Sequence, residues 1–258
     1  MPRFDRLEID PDANEPPHVG PAAAPVDEQF HPAKQADRHR RNGNYENALR
    51  FYSRALEADK SFIAGWVGQV EMLIMLDEVP EADLWCRKAI EVFPGNGELL
   101  AARTRALCRL GDLRQAAAVS DAALAAQGRS ALRWMARGEW MVASRQPLDR
   151  HCFDKARELD ADWLVPLETA LIYQHYSFPS QGLARARLAT ELAPDQAYPW
   201  YVRGDLEAAL GMTRPATTSF THCLQLCPGH VEAESRLAHV RRSKWSIRRL
   251  FRRLMPGK

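Results

Sequence analysis

The stretch "RPATTSFTHCLQLCP", residues 214–228, admits two readings, and the choice between them decides the fold. His222, Cys223 and Cys227, with His230 just beyond, are all zinc-competent side chains, and a Cys-x3-Cys pair on a helix places both sulfurs on one face. Alternatively, Ala216, Phe220 and Cys223 form a small–aromatic–small pattern at helical offsets of four and three, closed by Pro228. Under that reading the sulfurs face a hydrophobic interior.

The rest of the chain favours the second reading. "YENALRFYSRALEADK" (45–60), "PEADLWCRKAIEVFP" (80–94), "LRQAAAVSDAALAAQG" (113–128), "DRHCFDKARELDA" (149–161) and "QGLARARLATELAP" (181–194) align with it, and their final residues lie 34, 34, 33, 33 and 34 apart. Ala48, Tyr52, Ala55 repeats as Ala82, Cys86, Ala89 and as Ala116, Ser120, Ala123. Small residues on every turn let two helices approach closely, so each segment is one helix of a tight hairpin. Cys223 then holds the position of Ala55, Ala89, Ala123, Ala156 and Ala189, where a free cysteine acts as a small buried hydrophobe. His222 points about 100° away from it around the helix. No metal and no cofactor are expected.

The preceding helix carries its own signature: Trp200, Gly204 and Gly211 stand before Ala216, Phe220 and Pro228, and Trp66 takes the leading aromatic position of the second unit. Tyr173 and Trp140 fill the later aromatic position. On these residues the chain resembles the tetratricopeptide repeat (TPR) family. The resemblance implies an all-α, right-handed α-α superhelix of about six helix-turn-helix repeats with a C-terminal capping helix. The repeats fall at about 29–62, 63–96, 97–129, 130–162, 163–196 and 197–230, within a solenoid spanning 33–228. Asp149 and Gly182 replace the expected small side chain in repeats four and five, which marks those hairpins as tilted or weaker.

Such superhelices bind protein segments on a concave surface formed by the first helix of each hairpin. In this register Val67, Glu71 and Ile74, with Ala64 and Met75, project there from repeat two. Arg105 and Arg109, with Ala101 and Cys108, follow from repeat three. Trp134, Met141, Leu167, Leu171, Gln174, Tyr198, Tyr201 and Asp205, with His175, complete the set. Trp134, Tyr198 and Tyr201 are the expected anchors, because aromatic and arginine side chains dominate binding hot spots. The carboxylate clamp of the chaperone-adaptor branch is not expected, since its positions in repeat one hold Ala33 and Asp37.

The termini differ in charge. Residues 1–32 carry seven acids, two bases and seven prolines, and read as a disordered acidic arm. Residues 229–258 carry nine bases against two acids and read as a capping helix with a basic amphipathic tail. There Ile247, Leu250, Phe251, Leu254 and Met255 line one side, while Lys244, Arg248, Arg249, Arg252 and Arg253 form an anionic-surface contact. The tail offers a second class of partner: an anionic membrane surface or nucleic acid.

Five cysteines, an odd number, make no disulfide framework, and the first residues lack the apolar core of a secretory signal, so a cytoplasmic protein is expected. No phosphate-cradling loop, nucleophile elbow or His-Glu-x-x-His is present. The expectation is therefore a non-catalytic scaffold or adaptor for a protein or peptide partner, with no small-molecule substrate.

Overall fold

The computed structural model describes the backbone of residues 31–254 and the side chains of residues 31–242. Residues 1–30 of the expected acidic arm, and the tail side chains Lys244, Arg248, Arg249, Arg252 and Arg253, lie outside the described residues. Among the latter are thirteen α-helices and no strand. They run α1 (Pro32–Arg41), α2 (Tyr45–Ala58), α3 (Ile63–Met75), α4 (Val79–Val92), α5 (Gly97–Leu110), α6 (Leu113–Ala125) and α7 (Ala131–Ala143). Then follow α8 (Asp149–Leu159), α9 (Leu164–His175), α10 (Pro179–Leu192), α11 (Ala197–Ala209), α12 (Thr213–Leu226) and α13 (Val231–Leu254). No described helix is long and apolar enough to cross a membrane.

The first twelve helices form six hairpins, each stacked on the next, and α13 packs on α12 and α11. All six hairpins turn in the same way. One residue adopts the left-handed conformation: Gly43, Asp77, Gly111, Arg145, Ser177 and Gly211 in chain order. The amide after it donates to a carbonyl five residues back, as Asn44 to His39, Glu78 to Leu73 and Met212 to Glu207. This is the Schellman closure, which satisfies the helix's last carbonyls and reverses the chain at once. Glycine fits it without strain, whereas Asp77, Arg145 and Ser177 adopt it at a cost of about 1–2 kcal/mol each.

The hairpins pack through the pattern read in the sequence. Ala48, Ala82, Cys86, Ala89, Ala116, Ala216 and Cys223 are fully buried. Each aromatic between them fills the space over a glycine: Tyr52 on Gly68, Phe153 on Gly138 and Phe220 on Gly204. A methyl group on Gly138 would sit 2.4 Å from a Phe153 ring carbon, so the glycine is a steric necessity there. Gly182 allows a close approach as well, since a Cβ would lie 3.1 Å from the Ala170 carbonyl oxygen. Asp149, the other departure from the pattern, accepts a 2.5 Å hydrogen bond from the Tyr173 hydroxyl and so ties α8 to α9.

Loops before the first helices are pinned by side-chain donors. Trp66 Nε1 donates to the Lys60 carbonyl and Trp200 Nε1 to the Pro194 carbonyl, both at 2.9 Å. In repeat four Arg133 takes this role and donates to the carbonyls of Ala126, Gln127 and Gly128.

The solenoid closes on itself. Arg40 of α1 pairs with Glu168 of α9, its Nε lying 2.8 Å from Oε1. Arg41 forks onto Asp162 at 3.0 and 2.7 Å and stacks over Trp163. The Tyr45 and Tyr198 hydroxyls meet at 2.8 Å, and Gly43 packs against the Tyr198 ring. The first hairpin thus abuts the fifth and sixth.

Candidate functional site

Closure changes what the inner surface can do. Glu71, Arg105 and Glu139 project inward from three successive first helices and form a continuous ion-pair ladder, all three at most 2% exposed. Arg105 Nε lies 2.7 Å from Glu139 Oε2, and Arg109 holds the other Glu139 oxygen while its guanidinium covers the Tyr176 ring. Burial by itself would raise the Glu139 pKa, but Arg109 and then Arg105 outweigh it and bring it down to about 2. Beyond the ladder, Gln174 donates to Asp205 at 2.6 Å, and Asp205 pairs with Arg236 of α13 at 2.9 Å. The charged side chains expected to orient a partner are occupied with one another.

Several residues expected on an open groove therefore stand elsewhere. Ile74 and Leu167 are core side chains, each 1% exposed, while Glu71 and Arg105 do point inward but are almost fully covered and paired with each other. Trp134 precedes Gly138 by four as Trp200 precedes Gly204. Its half-buried ring accordingly lies edge-on to the exposed His151 of α8, at the edge of its own hairpin. Met141 lies beside Tyr173 and Phe178 near the α7–α8 turn, and Leu171 packs against the core of repeats five and six. The physical reason is common to all: a first helix shows one face to its hairpin partner and another to the next repeat, and only a narrow strip remains inward. Val67 is on that strip.

Tyr198 and Tyr201 are placed differently. They stack with ring centroids 6.0 Å apart, and Tyr201 stacks in turn on His230 at 4.8 Å. Both line a cleft of about 1000 Å³ at the seam where the first hairpin meets the sixth. Its other wall is the α1–α2 turn, with Asn42, Gly43, Asn44 and Tyr45, and His39 and Cys227 stand at its margins. Burial pushes the Tyr45 and Tyr198 hydroxyls well above the usual phenol range, so both stay neutral donors and acceptors. Periodicity could not flag the α1–α2 turn as a wall of this cleft, because the contact spans about 150 residues of sequence and exists only when the solenoid closes.

The quoted stretch also resolves. Cys223 is fully buried between α12 and α13, and burial raises its thiol pKa to about 12. His222 packs against Trp200 with the rings tilted and their centroids 4.3 Å apart. His230 faces Tyr201 and Glu232. Among the described residues no three His, Cys, Asp or Glu side chains are arranged to hold a metal ion.

Comparison with known proteins agrees with this architecture. No family model and no curated protein matches the chain. Among solved structures it is similar to a thermophilic TPR protein of Thermus thermophilus, at 17% identity and a TM-score of 0.50 over 81% of this chain and 96% of that one. It is also similar to PilW, a widely conserved type IV pilus biogenesis factor, at 18% identity and a TM-score of 0.49 over 80% and 96%. YrrB, a TPR protein with an unusual peptide-binding site, gives 18% and 0.40 over 71% and 96%. The chain has the tetratricopeptide-repeat fold, with six helical hairpins and a capping helix among the described residues.

Proposed function

We propose that the protein is a non-catalytic scaffold that binds a segment of a partner protein in the seam cleft rather than along the full concave surface. The observation that carries this reading is the cleft itself: about 1000 Å³, with the stacked Tyr198 and Tyr201 on one wall and the polar α1–α2 turn on the other. That volume suits a few residues of extended chain. The tyrosines supply rigid apolar area at small entropic cost, and the turn supplies amide groups for a peptide backbone. The inner surface is a weaker host, since entry there would separate the Arg105 and Arg109 pairs from Glu139 and leave buried charges unpaired.

A peptide-display selection against the intact protein tests this. Enriched sequences should bind the wild type and lose at least about tenfold in affinity for Tyr201→Ala, equivalent to about 1.4 kcal/mol. Circular dichroism checks that the variant stays folded. Enriched peptides that bind Tyr201→Ala as tightly as the wild type would remove the seam cleft as the site.

A further inference from the structure

A second opening lies among α1, α3, α7 and α9. Two cavities of about 260 Å³ and about 540 Å³ meet there and share Asp37, Arg40 and Val67. Their floor is apolar, made by Ile63, Ala64, Val67, Leu164 and Val165. Their charged lining is unbalanced: Asp37, Glu71, Glu98, Asp160, Asp162 and Glu168 stand against Arg40 and Arg41. Arg133 reaches Glu98 and Arg105 reaches Glu71 from behind, which still leaves carboxylates in excess.

Within the inner cavity one acceptor is unmet. Glu71 is 2% exposed, its Oε2 is held by Arg105, and its Oε1 has no hydrogen-bond partner. A buried carboxylate oxygen without a donor is costly, and the group that would satisfy it best is a guanidinium or ammonium. Arginine suits the place because its fork could bond Glu71 and a neighbouring acid together while its stem covers Val67 and Val165.

The chain itself carries a segment of matching chemistry. Residues 243–258, "SKWSIRRLFRRLMPGK", hold six basic residues and no acid, with Ile247, Leu250, Phe251 and Leu254 at helical spacing. The backbone of α13 is one continuous helix through Leu254, packed on α12 and α11. A continuous helix does not double back, so a partner for the opening would come from another molecule. We propose that the acidic opening is a receptor for this basic segment of a second copy, with one arginine entering the inner cavity to meet Glu71 and the apolar side chains lying on the floor. The two patches differ, so the contact is head-to-tail and assembly grows with concentration.

The test uses the full chain and a fluorescent synthetic peptide of residues 243–258. Anisotropy titration should show saturable binding that weakens about tenfold or more on moving from low to high salt. Asp37→Arg and Asp160→Lys should each weaken it about tenfold with the helical spectrum intact. A peptide with Arg252→Glu and Arg253→Glu should lose binding to the wild type and regain part of it with Asp37→Arg. Sedimentation velocity of the full chain should show species whose size rises with protein concentration and falls with salt. Equal binding to wild type and Asp37→Arg, attachment of the peptide to phosphatidylserine vesicles but not to the protein, or a monomer at every concentration would overturn the proposal.

Discussion

Replacing Glu139 by glutamine removes one charge from the centre of the ladder while keeping the shape of the side chain. Both carboxylate oxygens are engaged, one by Arg105 and one by Arg109, and the side chain is fully buried. An amide can accept from one guanidinium but turns its NH2 group towards the other. Burial works against the charged carboxylate and the two arginines more than offset it, so its pKa falls from an ordinary value of 4.5 to about 2. A depression of that size corresponds to about 3 kcal/mol of folding stability. Removing one partner of a buried pair typically costs about 3–5 kcal/mol, which brackets the same figure. The sign follows from linkage: a depressed carboxylate contributes its full stability above the unfolded-state value near 4.5 and loses it as pH falls towards 2. Urea denaturation followed by far-ultraviolet circular dichroism should therefore show Glu139→Gln about 3 kcal/mol less stable at neutral pH. The gap should close progressively as pH falls from about 5 to 2. Other carboxylates titrate in both proteins and cancel in the difference. A gap below about 1 kcal/mol at neutral pH, or one unchanged down to pH 2, would refute the ladder as a net source of stability.

Other expectations can be checked alongside. Phe220→Ala empties the space over Gly204 and should cost about 3–5 kcal/mol by thermal or chemical denaturation. Gly138→Ala drives a methyl into the Phe153 ring and should cost about 1–3 kcal/mol. Arg145→Gly relieves a left-handed non-glycine residue at some entropic cost and should raise stability by about 0.5–1 kcal/mol. A thiol reagent should label Cys227 rapidly in the folded chain and reach Cys86, Cys108, Cys152 and Cys223 only on unfolding, because those four are buried and burial raises their pKa.

The hairpins were legible because their signal is local and repeated. Ala216, Phe220 and Cys223 lie on one face of one helix by spacing alone, and five further copies at intervals of 33 or 34 residues make the pattern hard to mistake. Of the six left-handed turn positions, glycine marks only Gly43, Gly111 and Gly211. Asp77, Arg145 and Ser177 adopt the same conformation without a residue type that announces it, because the packed helices on either side enforce it. The inward-facing residues were harder still. Glu71 and Arg105 read as lining an open groove, and their burial with Glu139 depends on how tightly the superhelix winds.

Sequence by itself determined the repeating unit, since helical spacing, small packing positions and turn residues act over a few residues and need no distant partner. Tertiary structure alone decided which inward residues are sealed and where a cleft remains. Small rotations between successive hairpins add up over six repeats, and their sum brings Arg40 to Glu168 and Tyr45 to Tyr198. No single repeat encodes that sum. The stretch 214–228 fixed the fold through Phe220 and Cys223, while the seam that gives Tyr198 and Tyr201 a cleft to line exists only because the two ends of the solenoid meet.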